Sequence, residues 1–151
     1  MHFLILSLLF FIMTGIGIPA ETQAGMPVSS PFGWRLHPIS GEWKFHTGTD
    51  LAYDYGTAIP SCFDGVVVFA GDAGDGFGNQ IVIYHSQSDC YTRYAHCMSL
   101  YASPGEAVIQ GQVIAAVGST GNSTGPHLHI EFIVPDGAGG YRYEDPMLLW
   151  P

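Results

Sequence analysis

The sequence predicts an all-β domain, a compact antiparallel β-sandwich or barrel-like stack of sheets, on three observations. Apolar runs past residue 20 are short and rich in β-branched residues. Gly, Pro, Asn and Asp punctuate them at fairly even spacing. No 3.6-residue periodicity lasts beyond two turns, which excludes helices of ordinary length.

Taken in order, the Gly/Pro/Ser-containing stretch up to Gly33 reads as a loop. The candidate strands are Asp50–Tyr53, Ala58–Cys62, Val66–Gly71, Gln80–His85, Tyr91–His96, Val113–Val117 and Leu128–Val134. Val66-Val67-Val68-Phe69-Ala70 is too short for a helix and reads as a buried strand, as does Ile81-Val82-Ile83-Tyr84. The glycine-rich connection between them, from Gly71 to Asn79, suits a hairpin loop, with Asn79 at a turn position needing positive φ. Met98 to Ala102 is expected to make one helical turn before Pro104, and the apolar tail from Asp145 to pack back onto the sheet.

Residues Phe3 to Ile18 form a nearly unbroken apolar run, followed by small residues at plausible cleavage points after Ala20 or Ala24. Residues 1–24 are therefore read as a signal peptide, although the segment before the run carries no Lys or Arg. The run, at 1.5 Å per residue, spans about 24 Å, short of a ~30 Å hydrocarbon core. A secreted, periplasmic or cell-envelope protein is expected, with no stable membrane association once the leader is gone. About 127 to 131 residues then remain, enough for one domain over 25–151. The 4 basic and 13 acidic residues give a net charge of -9, which argues against nucleic acid as a partner. Three cysteines, Cys62, Cys90 and Cys97, allow at most one internal bridge. A straight strand would hold Cys90 and Cys97 about 23 Å apart, beyond bridging distance. That leaves a bridge from Cys62 to either, or three buried thiols.

Three islands carry candidate chemistry: His46-Thr47-Gly48-Thr49-Asp50, Tyr94-Ala95-His96, and the run from Gly121 through His127-Leu128-His129. If Leu128 lies in a strand, His127 and His129 project from one face while Leu128 enters the core. Gly48 between two threonines makes a loop feeding a strand the better reading for the first island, bringing imidazole and carboxylate together. Both groups suit Zn²⁺. A hydrolytic zinc keeps three protein ligands and an open position, so the islands' four His and one Asp leave two imidazoles over. Surplus imidazoles beside activated water serve as general base and as oxyanion donors. Spacing leaves open which two they are.

In their order, these islands resemble the lysostaphin/LytM-type (β-lytic) zinc metallopeptidases, over about Ser30 to Phe132. The resemblance rests on Ser30-Pro31-Phe32-Gly33-Trp34-Arg35 with His37-Pro38, His46-xxx-Asp50, Gly56-Thr57, Asp64-Gly65-Val66-Val67 and Gly78-Asn79. It continues through Tyr94-Ala95-His96, Gly118-Ser119-Thr120-Gly121 and, as its most specific piece, Ser123 to Glu131. It implies one Zn²⁺ per domain held by His46, Asp50 and His129, with His96 and His127 as the catalytic pair. It further implies a compact β-domain of the duplicated hybrid motif type, with a narrow active-site groove. The implied activity is an endopeptidase hydrolysing cross-bridge or stem peptides of bacterial peptidoglycan. With no long pro-region ahead of the domain, activity is expected without proteolytic activation. The alternative is a catalytically silent wall-associated scaffold or activator of the same fold, against which the intact five-residue set argues.

Other residues have local readings. Glu131 lies two positions from His129 and is placed to orient it. His37 is read as a loop residue and His85 as a local hydrogen-bonding group. Trp34, Tyr94 and Phe77 either line a groove or are buried, and Tyr101, Tyr141 and Tyr143 have no assignable role.

Overall fold

The two β-branched runs pair with each other. In the computed structural model, which describes residues 25–37 and 39–149, Gly65–Asp72 forms a strand antiparallel to Asn79–His85. The expected signal peptide at residues 1–24 lies outside the described residues. Numbered in chain order, the strands are β1 (Val28–Ser30), β2 (Gly33–Leu36), β3 (Trp43–His46), β4 (Thr49–Leu51), β5 (Ala58–Pro60), β6 (Gly65–Asp72) and β7 (Asn79–His85). They continue as β8 (Cys90–Ala95), β9 (Ser99–Leu100), β10 (Ala107–Val108), β11 (Val113–Ala116), β12 (Leu128–Pro135) and β13 (Tyr141–Glu144). A 3-10 turn, Pro146–Leu149, follows.

The large antiparallel sheet runs β1-β4-β12-β8-β7-β6-β10, with β13 also paired to β12. A small sheet, β5-β11-β9, supplies a second layer, and β2-β3 form a separate ribbon. Period-two alternation sorts the side chains: Leu128 and Ile130 of β12 enter the core, joined by Val67, Ile81, Ile83 and Tyr94 from neighbouring strands. Ile59, Ile114 and Ala115 of the small sheet close that core, and Met147 and Leu149 of the tail pack into it as expected.

Four local expectations are corrected. The run Val66 to Ala70 forms a strand but not a buried one, because only Val67 is buried in the core while Val66, Val68 and Phe69 are exposed. The loop assigned up to Gly33 contains β1, whose Val28 pairs with Leu51. Met98–Ala102 makes no helical turn, because Met98 N–H donates to Ala116 O (3.0 Å) and Tyr101 N–H to Ile114 O (2.8 Å), tying the segment to β11 as β9. The positive φ belongs to Gly78 (62°), while Asn79 already lies in β7. The cysteines are free and buried, the no-bridge alternative. Burial pushes the Cys62 and Cys97 thiols up to about 12 and Cys90 to about 11, which leaves them protonated.

Candidate active site

Sheet register builds the site. β4 and β12 are antiparallel neighbours with Asp50 opposite His129, and directly opposed residues share a face. His46 closes β3 and reaches the same place through Thr47-Gly48. Gly48 is required there: a Cβ would collide with the Ile130 carbonyl and lie 2.8 Å from the His129 ring. On the other flank of β12, Ala95 of β8 pairs with His129, so His96 arrives just beyond the end of β8. His96 holds a positive φ of 59°, uncommon for a non-glycine residue. Its N–H donates to Phe77 O (2.8 Å). His127 precedes β12 and bridges to Gly118.

The sequence-predicted residues all line one groove of about 740 Å³. Within it, His129 Nδ1 lies 2.8 Å from Asp50 Oδ1, His46 Nε2 lies 3.2 Å from the same oxygen, and the two ring nitrogens are 3.1 Å apart. The outer nitrogens are committed elsewhere. His46 Nδ1–H donates to Pro31 O (2.9 Å) and His129 Nε2–H to Glu131 Oε1 (3.2 Å). Those oxygens only accept, so the inner Nε2 of His46 and Nδ1 of His129 keep their lone pairs. Three acceptors thus face one another at hydrogen-bond distance, an arrangement that suits a cation between them.

The carboxylate and the two imidazoles act on one another electrostatically. Burial alone would raise the Asp50 pKa, but hydrogen bonds and attraction from His129 and His46 hold it well below the usual carboxylate range. Burial alone would lower His129, and its bonds to Asp50 and Glu131 reverse that, raising it. Glu131 itself is fully buried, accepting from Thr47 Oγ1 (2.5 Å) and paired with Arg93 (3.0 Å).

His96 and His127 form a second group, their ring centroids 4.7 Å apart. His96 Nδ1–H donates to Thr120 O (2.7 Å) and His127 Nδ1–H to Gly125 O (2.8 Å), so each turns Nε2 away from its backbone anchor. His127 Nε2 lies 3.8 Å from Asp50 Oδ1. Burial, joined by repulsion from His127 and His129, pushes His96 down to about 4 against the opposing bond to Thr120, leaving it neutral at pH 7.

The weighed residues separate clearly. Phe77 lines the groove with its ring 5.3 Å from His129 and 4.7 Å from the Arg93 guanidinium. Tyr94 is buried, its hydroxyl taking the Cys62 N–H (2.9 Å), and Trp34 stands exposed on the β2–β3 ribbon. Glu131 does contact His129. His85, the last residue of β7, is buried and does not line the groove, whereas His37 lines it while accepting the backbone N–H groups of Ile39 and Ser40. Sequence reasoning passed over Arg93, Thr47 and the carbonyls of Pro31, Thr120 and Gly125. No local signal marks these: Gly125 acts through a backbone oxygen two residues before His127, and the others meet partners from distant strands or loops.

Residues 44–140 match the model of peptidase family M23. The chain is 48% identical over 115 residues to the DD-carboxypeptidase/endopeptidase Mpg of Neisseria meningitidis, covering 76% of this chain and 26% of Mpg. It thus spans about a quarter of the length of the curated relatives it matches. The lysostaphin catalytic domain from Staphylococcus simulans superposes with a TM-score of 0.73 at 30% identity, over 84% of this chain and 94% of that one. A zinc-containing peptidase from Vibrio cholerae superposes at 0.59 with 36% identity, over 74% and 36% respectively.

Proposed function

This chain belongs to peptidase family M23, and from that premise we propose that it is a zinc-dependent endopeptidase hydrolysing peptide bonds of bacterial peptidoglycan. The observation that carries the reading is the inward convergence of three lone-pair atoms, from His46, Asp50 and His129, beside two further imidazoles in one groove. The substrate class is supported by the relatives, one named for DD-carboxypeptidase/endopeptidase activity and another for peptidoglycan DD-endopeptidase activity. A cell-envelope or extracellular location follows from that substrate.

In this reading His46, Asp50 and His129 hold one Zn²⁺, which supplies Lewis acidity towards the peptide carbonyl and brings the pKa of water near 7. His96, neutral and anchored through Nδ1, offers Nε2 as acceptor for the proton of the attacking water. His127, anchored likewise, faces the same space; in its doubly protonated form its Nε2–H would donate to the developing oxyanion and then pass that proton to the leaving amine. Glu131, fixed by Arg93 and Thr47, fixes the orientation and tautomer of His129. Phe77 excludes water from one side of the ligands. A silent scaffold would have no use for two imidazoles aimed into the groove beside an intact ligand set.

Digestion of purified peptidoglycan by the protein, with fragment masses read out, tests this. New amino termini at a peptide bond, lost on chelation and restored by zinc, are expected. Intact peptides, or cleavage that survives chelation, would overturn it.

A further inference from the structure

The chain has only 4 Lys and Arg against 13 acidic residues, yet two of those cations stand side by side in the groove. Arg35 of β2 and Lys44 of β3 are directly opposed in the ribbon register, on the face it shares with His46. Like charges directly opposed in a sheet are destabilising, so folding alone does not favour the pair.

The other two cations are each held in a close ion pair. Arg93 pairs with Glu131 at 3.0 Å, and Arg142 binds Glu144 at 2.7 Å and Pro135 O at 2.8 Å. Arg35, by contrast, comes no closer than 3.9 Å to Asp50 Oδ2, and Lys44 no closer than 3.8 Å to the exposed Glu42. Asp75, the other carboxylate lining the groove, has both oxygens occupied by Gln80 Nε2 at 3.0 and 2.9 Å. The donors of Arg35 and Lys44 thus line the groove without a close acceptor among the described residues.

We propose that Arg35 and Lys44 form an anion subsite that binds a carboxylate of the substrate peptide next to the scissile bond. A guanidinium offers paired N–H donors that match a carboxylate, and an ammonium adds a point charge. Arg35 approaches Asp50 Oδ2, while the imidazoles contact Oδ1, so a carboxylate bound there lies in the same groove beside His46, Asp50 and His129. The preferred peptide is therefore one bearing free carboxylates, as opposed to an uncharged oligoglycine bridge. This rests on the hydrolase reading above and narrows its substrate.

The test uses soluble muropeptides with their carboxylates either free or converted to primary amides by carbodiimide and ammonia. Binding is read by calorimetry on the full chain carrying His127→Ala, so that turnover does not consume the ligand. Free fragments should bind at least about tenfold more tightly than amidated ones. Adding R35Q and K44Q should erase that difference while leaving zinc content and melting temperature unchanged. Equal affinity for both forms, or equal loss for both in the Gln variants, would overturn the subsite. Zinc loss in R35Q would also overturn it, since Arg35 would then act through Asp50. Cleavage of the same fragments by the unsubstituted chain is scored separately. A carboxylate preference without cleavage would leave the subsite standing and remove the hydrolase reading.

Discussion

His129 Nδ1 sits 2.8 Å from Asp50 Oδ1 across 79 residues of sequence, because β12 and β4 are paired in register at those two positions. The contact requires the backbone of Gly48 to press against β12. Gly48→Ala forces a Cβ into the Ile130 carbonyl, which a rigid strand does not absorb. A loss of about 2–4 kcal/mol is expected, lowering the melting temperature by on the order of 10 °C. Calorimetric melting measures it, and an unchanged midpoint would show that β3 and β4 shift freely.

Glu131 is a buried carboxylate whose work is to hold His129 Nε2–H. Glu131→Gln keeps its shape and removes its charge, so zinc affinity should fall by roughly 10- to 100-fold. Competition with a chromophoric chelator reads this directly, and unchanged affinity would remove Glu131 from the account.

The pH dependence of stability has a component from His85. Its Nδ1–H donates to Asp64 O (2.9 Å) and its Nε2 meets the Thr92 hydroxyl (2.8 Å), an arrangement for the neutral ring. Burial lowers its pKa below 6.5, against the opposing pull of Asp64. Above 6.5 the stabilisation is fully present. Below it the unfolded chain takes up a proton that the folded chain does not, and stability falls until the lower folded value is passed. Melting temperatures at pH 7 and pH 5 should therefore drop less for His85→Gln than for the unsubstituted chain. Equal drops would assign the acid sensitivity elsewhere.

What was legible in the sequence follows from the range of the forces involved. The strands at Val66–Phe69 and Ile81–Tyr84 declared themselves because such β-branched runs are compatible with little else, but burial did not follow from the run: Ile81 and Ile83 are core, whereas only Val67 of the first run is. The β2–β3 ribbon did not, since Trp34, Leu36 and Trp43 alternate with polar residues yet stay exposed, without the burial that makes alternation meaningful. The Ser99–Leu100 strand is set by acceptors on β11, which no five-residue window reveals. At the site, the chemistry-bearing residues were visible from type and spacing, but two surplus imidazoles were indistinguishable from two ligands. That distinction depends on which ring nitrogen each carbonyl and carboxylate occupies. Pro31, Thr120, Gly125 and Glu131 supply those acceptors, and three of them act through backbone oxygens that carry no sequence signature.

The division of labour among the imidazoles is the central claim, and zinc content across four variants tests it most directly. Elemental analysis of purified His46→Ala, Asp50→Ala, His96→Ala and His127→Ala, each checked for folding, should give no retained zinc in the first two. The last two should retain one equivalent, with peptidoglycan turnover reduced by about 100-fold or more. Zinc lost equally from all four, or kept by Asp50→Ala, would contradict the account.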